Sequence, residues 1–424
     1  MNDKFYELLD RTGFVFLDGG FGTMLQATGV EIGHNPELLN ITNPDVIMNI
    51  HRQYVESGSD IFCANTFGAN SYKLKNSGYT VAEIVSAGIA IAKKAASGKA
   101  LVALDIGPIG QLLEPSGTLT FEEAYEIHKE TILAGADADI IIIETMTDLY
   151  EVKAALLAAK ENSDKPVLVT MTYEANMRTF TGVSPECATA VLEGLGADAV
   201  GVNCSLGPEE LLPIIEKICA NTTLPVIAKP NAGLPDPETN KFNVTPEQFA
   251  QSALKLAELG VKIFGGCCGT TPQHISALVN ALEDMQYVQQ EIERKPVVCS
   301  AVKCVEINQP RVIGERINPT GKKRFKQALA ENDIGYILGQ AIEQINAGAE
   351  ILDVNVGSPE IDEVEMMKSA VKAIQGVCDA PLQLDSTRPD VLEAGLRVYN
   401  GKPIVNSVNA EDESLNTILP LVKS

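Results

Sequence analysis

The chain has 424 residues, 45% hydrophobic and 21% charged, with a formal net charge of −23. That composition is ordinary for a soluble globular protein with room for two or three domains, and the negative balance argues against nucleic acid or an anionic membrane as partner. No apolar run reaches the ~18 residues a spanning helix needs, residues 1–10 lack a signal peptide's basic start and apolar middle, and nine cysteines are too few for a disulfide scaffold, so a cytoplasmic protein with thiols kept for metal or catalysis is expected.

Eight apolar, strand-like runs recur through the first ~270 residues, at 14–17, 61–64, 101–104, 140–143, 167–171, 199–202, 225–228 and 261–264. Stretches with helical periodicity, such as 148–161, 209–219 and 246–259, lie between them. Runs apolar throughout fit strands covered on both faces, as in a parallel sheet. Ser184-Pro185-Glu186 and Thr245-Pro246-Glu247 read as helix N-caps with proline in the first turn. Eight strand–helix units in this length predict a (β/α)8 barrel. From Arg311 the rhythm restarts, with strand-like runs at 311–317, 351–356, 381–384 and 403–405 and helical stretches at 326–347, 361–377 and 390–399. The expected fold is α/β: a TIM barrel over 1–285, a linker over 286–310, and the first four β/α units of a second TIM-type barrel over 311–424.

Barrel chemistry sits where the strands end. There the first barrel presents Asp18-Gly19-Gly20, Asn65-Thr66-Phe67, Asp105-Ile106-Gly107-Pro108, Glu144-Thr145-Met146, Thr172-Tyr173-Glu174, Asn203-Cys204, Lys229-Pro230-Asn231 and Cys267-Cys268. Asp and Asn in such places often only cap the next helix, which does not account for Cys204, Cys267 and Cys268 together with Asp18 and Glu144. Neighbouring residues of a regular strand point to opposite faces. Both sulfurs of Cys267-Cys268 therefore reach one centre only if the flanking glycines let the backbone leave that geometry. Three thiolates converging from strand ends suit zinc in a catalytic setting, with a fourth position open for substrate. Unreactive buried thiols and a strained vicinal disulfide are the alternatives that spacing alone leaves open. His34, His51, His128 and His274 have no ligand spacing and read as ordinary surface or core residues. Cys299 and Cys304, in the linker, read as packing residues for want of further ligands.

The run Asp18-Gly19-Gly20-Phe21-Gly22-Thr23-Met24-Leu25, then Asn65-Thr66-Phe67, Val202-Asn203-Cys204 and Gly265-Gly266-Cys267-Cys268-Gly269, resembles the homocysteine S-methyltransferase family over roughly residues 5–285. The resemblance implies a methyltransferase whose catalytic Cys204, Cys267 and Cys268 hold zinc, which takes the homocysteine sulfur as its open ligand. It also implies that Gly19 and Gly20 offer N–H groups to the amino acid's carboxylate and that Glu144, with Asp18 nearby, receives its ammonium, with Asn65 and Thr66 in the same substrate site. A free thiol is largely protonated at neutral pH and only the thiolate attacks a methyl group, so a metal that drives deprotonation fits the task.

In the second unit Glu315-Arg316-Ile317-Asn318, Asp353-Val354-Asn355, Asp385-Ser386-Thr387 and Asn406-Ser407 stand at strand ends, where Asn and Asp often only make turns. The stretches 314–321 (GERINPTG) and 352–357 (LDVNVG) resemble the pterin-binding family, which includes dihydropteroate synthase and methyltetrahydrofolate:corrinoid methyltransferases. That resemblance implies Asp385 and Asn406 gripping a pterin ring, Asp353 and Asn355 beside them, Glu315 and Asn318 at the rim, and 5-methyltetrahydrofolate as the methyl source. Four units are half of such a barrel and leave two sheet edges open.

A homocysteine barrel followed by a pterin barrel resembles the front end of the cobalamin-dependent methionine synthases. That order implies methylcobalamin as the immediate donor, carried on a module or partner protein outside this chain, since the Asp-x-His-x-x-Gly cobalamin signature fits none of the four histidines. The expected function is zinc-dependent methyl transfer to homocysteine giving methionine, by the N-terminal portion of such an enzyme. Two readings stand beside it: a self-sufficient homocysteine methyltransferase using S-methylmethionine or betaine, and a non-catalytic zinc- or thiol-binding protein.

Overall fold

Parallel strands, each followed by at least one helix, build the first part of the chain in a computed structural model that describes residues 3–423 except 12, 237–241 and 294. They are β1 (Val15–Phe16), β2 (Ile61–Cys63), β3 (Leu101–Ile106), β4 (Ile140–Met146), β5 (Val167–Met171), β6 (Ala199–Asn203), β7 (Val226–Lys229) and β8 (Val261–Phe264). Each starts at, or one residue after, its expected run. The sheet order β1-β8-β7-β6-β5-β4-β3-β2 is that of a TIM barrel opened between β1 and β2. A backbone bond, from Asp60 N to Phe16 O at 2.7 Å, crosses this seam, and side chains add to it: Asp60 Oδ2 accepts from Phe16 N at 2.9 Å, and Asp18 Oδ2 accepts from Cys63 N at 2.9 Å.

Barrel residues, among them Val15, Ile61, Leu101, Ile140 and Ala199 at or near the strand starts, form one buried cluster with Phe5 of the helix Asp3–Leu9. Close packing there leaves the opposite rim for chemistry. Ser184 and Thr245 cap their helices as expected, and Thr80 and Thr120 add capping boxes with Glu83 and Glu123. Each such cap satisfies amides that helix geometry leaves without a partner.

The stretch expected as a linker folds into strands β9 (Val297–Ser300) and β10 (Cys304–Glu306), an antiparallel hairpin. The parallel strands β11 (Ile313–Ile317), β12 (Ile351–Val354) and β13 (Leu382–Asp385) follow. A two-residue strand, β14 (Gly401–Lys402), pairs back onto β9, and β15 (Ile404–Asn406) completes a four-stranded parallel sheet in the order β11-β12-β13-β15. The helical stretch 326–347 is in fact two helices, Lys323–Ala330 and Ile334–Asn346. Asn332 breaks it with a φ of 53°, and the Asp333 carboxylate then caps the second helix by accepting from Tyr336 N at 3.1 Å. By packing, residues 1–181 and 196–292 form one compact unit, and residues 182–195 with 293–424 form the other. No helix among the described residues is long and apolar enough to cross a membrane.

Candidate functional site

Three of the first unit's strands end on the groups that matter most: β6 leads into Cys204, β7 ends at Lys229, and β8 runs through Gly265-Gly266 into Cys267-Cys268. The Sγ atoms of Cys204, Cys267 and Cys268 lie within 4.8 Å of one another, and Cys204 and Cys268 are 3.9 Å apart. A tetrahedral zinc with bonds of about 2.3 Å sets its sulfurs about 3.8 Å apart, so the donors present fit that ion. Cys204 and Ser205 both sit at positive φ, 63° and 58°, and Thr145 beside Glu144 does so at 62°. Backbone strain of this kind is held only where surrounding contacts fix it. Here Cys204 N donates to Lys229 O at 3.1 Å and Cys268 N to Asn231 Oδ1 at 3.0 Å.

The glycines act differently from the expectation. Only Gly269 has a positive φ, 81°; Gly265 and Gly266 are needed for close approach, since a Cβ on Gly266 would meet the Thr270 side chain at 2.3 Å. Gly19 and Gly20 are small for the same reason: a Cβ on Gly20 would meet Cys267 O at 2.6 Å. The Gly20 amide already donates to Thr270 Oγ1 at 2.8 Å, and Thr270 Oγ1 donates to Cys267 O at 2.6 Å. Hydrogen bonds from Cys267 and then Cys268 pull Cys204 down to about 3, while the same sharing and burial push Cys268 up to about 11. Asn203 Nδ2 lies 3.8 Å from Cys267 Sγ and donates to Thr145 Oγ1 at 2.8 Å, tying the sulfurs to the β4 rim.

Next to the sulfurs is a buried charged pocket that the sequence only half disclosed. Lys229 Nζ reaches Glu144 Oε2 at 2.5 Å and Asp18 Oδ1 at 3.8 Å. Burial would lower this ammonium, but Glu144, Cys63, Asp18 and Asp105 overcome it and hold it above the usual lysine range. Burial pushes Asp18 up to about 6 against the pull of Lys229, and pushes Asp105 well above the carboxylate range with help from Glu144. Cys63, Asp105 and Glu144 also bring ligand atoms within 4.8 Å of one another, but Lys229 already supplies the cation there. Asn65 and Thr66 hold the frame with their side chains: Asn65 Nδ2 donates to Asn40 Oδ1 at 3.0 Å, and Thr66 Oγ1 donates to Asp105 O at 2.9 Å. Lys229, Asp105, Asn203 and Thr270 go beyond the candidate set; the signal for the first three was a polar residue at the end of an apolar strand.

His51 is buried between the rings of Phe21 and Phe62, His128 is buried 3.6 Å from Glu151, and His274 caps its own helix; none joins the sulfurs.

In the second unit, Asn355 Nδ2 donates to Asp385 Oδ2 at 2.9 Å, and Asp385 and Asn406 are register partners on β13 and β15. Asp353 Oδ1 accepts from Gln383 Nε2 at 2.5 Å, and burial pushes Asp353 up to about 6. Its Oδ2 is buried with no hydrogen-bond partner among the described residues. Asn318 is buried with Oδ1 accepting from Thr320 N at 2.9 Å, and Glu315 is exposed. Parallel strand ends therefore gather Asp353, Asn355, Asp385 and Asn406 on one rim, with Gln383 an addition.

The family model for homocysteine S-methyltransferase matches residues 15–282, which spans the sulfurs and the charged pocket of the first unit. The chain belongs to the homocysteine S-methyltransferase family. A pterin-binding enzyme model matches residues 314–424. Methionine synthase from Mycobacterium tuberculosis is 34% identical and that from Mycobacterium leprae 33% identical, each over 93% of this chain and 35% of its own length. The chain thus spans about a third of these relatives. Among solved structures, the metallated form of the homocysteine methyltransferase MmuM from Escherichia coli aligns with a TM-score of 0.56 at 23% identity, over 64% of this chain and 97% of that one. At that identity the likeness shows the barrel fold. As a member of the family the chain is a methyltransferase, with the TIM barrel that the eight runs predicted.

Proposed function

We propose that the first unit moves a methyl group onto the sulfur of homocysteine to give methionine, and that Cys204, Cys267 and Cys268 hold a zinc ion for that step. The observation that carries the reading is the convergence of three sulfurs from two strand ends beside a buried pocket rich in carboxyls. When bound, zinc supplies the Lewis acidity that favours the thiolate of the substrate at neutral pH.

The chain's own groups do the rest. Asn203 steadies Cys267, and the Thr270 hydroxyl fixes the turn that carries both neighbouring sulfurs. Glu144 and Asp18 both face the single Lys229 ammonium, so this acidic surround suits a second cation such as the amino acid's ammonium. Because the Gly20 amide is committed to Thr270, the substrate carboxylate falls to Gly19 and to the first-turn amides of the helix Phe21–Thr28, where the helix dipole is positive. A carbon–sulfur bond forms as the methyl carbon leaves its donor, whose bonding electron pair stays behind, and the thiol proton goes to solvent. The pterin-binding match and the methionine synthase relatives support methylcobalamin as the donor, charged from 5-methyltetrahydrofolate and carried on a cobalamin-binding module or partner.

The test is zinc content and homocysteine binding in the wild type and in Cys204→Ala. The variant should lose its mouth zinc and bind homocysteine at least tenfold more weakly, the scale of losing one ligand of a metal site. Retention of both would end the reading. Methionine formation with methylcobalamin, compared with S-methylmethionine and betaine, identifies the donor.

A further inference from the structure

The chain holds a second trio of sulfurs, and it lies wholly within the second compact unit. Cys187 sits in the first turn of the helix Pro185–Gly194, while Cys299 and Cys304 face each other as register partners across the β9–β10 hairpin. Their Sγ atoms lie within 4.8 Å of one another, with Cys187 and Cys304 at 3.1 Å. Cys187 and Cys299 are buried and Cys304 is partly exposed. The linker cysteines were expected to be packing residues because nothing nearby in sequence could join them. The fold supplies the missing partner from over a hundred residues away.

We propose that Cys187, Cys299 and Cys304 form a second metal centre, for a thiophilic divalent cation of the zinc class, that fastens the helix Pro185–Gly194 to the β9–β10 hairpin. Three arguments favour a metal over mere packing or a disulfide. A disulfide joins two sulfurs at about 2.05 Å and leaves the third idle, whereas all three here share one small volume. A separation of 3.1 Å needs only about 0.7 Å of opening to reach the sulfur spacing of a tetrahedral zinc. Cys187 also lies at a helix N-terminus, with its backbone N–H taken by the capping Ser184 Oγ, and the positive end of the helix dipole favours the thiolate that a metal requires. Cys378, whose S–H donates to Ile374 O at 3.5 Å, is not among the sulfurs that share this volume. An all-sulfur donor set excludes magnesium and calcium, which take oxygen ligands. The partly exposed Cys304 side leaves the fourth position to water.

The experiment is elemental analysis of the full chain, purified under reducing conditions and dialysed against zinc, alongside Cys304→Ala, Cys187→Ala and Cys204→Ala. About two zinc ions per wild-type chain are expected, falling to about one in each single variant, because each variant breaks one three-sulfur site. In cobalt(II)-loaded protein, the thiolate charge-transfer band should fall by about half in Cys304→Ala, whose partly exposed position leaves the fold intact. An unchanged zinc count in both Cys187→Ala and Cys304→Ala would overturn the proposal, as would a Cys187–Cys304 disulfide found by peptide mapping of the wild type. The Cys204→Ala arm reports the barrel mouth alone, so failure of the second centre and failure of the proposed function are told apart.

Discussion

Asp18 carries two duties on one carboxylate. Its Oδ2 accepts the Cys63 amide and helps to close the barrel seam, while Oδ1 lies 3.8 Å from Lys229 in the pocket proposed for the substrate's ammonium. Burial raises this carboxyl from 3.8 to about 6, so the folded state favours the neutral form. Its stabilising effect is therefore present at acid pH and is lost as pH rises through about 6, where the charge needed for an ammonium appears. Binding and stability pull in opposite directions here. Affinity for L-methionine, measured by calorimetry on zinc-loaded protein, should rise between pH 5 and 7, with a midpoint of about 6. Asp18→Asn should flatten that rise without loss of stability at pH 7; an unchanged profile in the variant would assign the titration elsewhere. At this scale spacing alone left the three thiols open to other readings, and the motifs around them singled out Cys204, Cys267 and Cys268, whose sulfurs the fold brings within 4.8 Å of one another. The sequence did not disclose Lys229 as the counterion of Glu144, since a lysine ending an apolar strand reads equally well as a solvated cap.

Among the elements, the eight barrel strands were legible because strands covered on both faces must be apolar throughout. The β9–β10 hairpin was not, since its two short strands sit inside one apolar stretch that reads as connector. The break at Asn332 was hidden because a single left-handed residue leaves the hydrophobic period on either side intact. The turn after β8 shows how a correct residue can be credited with the wrong physics. Gly265 and Gly266 matter for the absence of a side chain, and only Gly269 for its backbone freedom. Gly266→Ala should push Thr270 off Cys267 O and weaken zinc binding by about 10–100-fold, the usual effect of disturbing groups that support metal ligands. The far-ultraviolet circular dichroism should stay unchanged, and a wild-type zinc affinity in that variant would show the turn to be more pliable than its packing suggests.

For the whole molecule, fold class and the order of the two units could be read from the rhythm of strands and helices, whereas the packing boundary could not. The second unit's rim presents Asp353, Asn355, Asp385 and Asn406 on a sheet whose edge strands, β11 and β15, have no further strand beside them among the described residues. Half a rim grips a flat heterocycle from one side only, so this 424-residue chain should bind 5-methyltetrahydrofolate weakly or not at all. Tight, stoichiometric binding in a calorimetric titration would refute that expectation.

The interleaved packing, with residues 182–195 grouped alongside 293–424 while the chain on both sides of them belongs to the first unit, bears on how such proteins can be divided. A gene fragment ending near residue 285 would inherit the helix Pro185–Gly194 but not the hairpin that buries Cys187. Recombination that shuffles barrels as cassettes would meet the same obstacle, and the exchangeable segment is one that carries the hairpin with it.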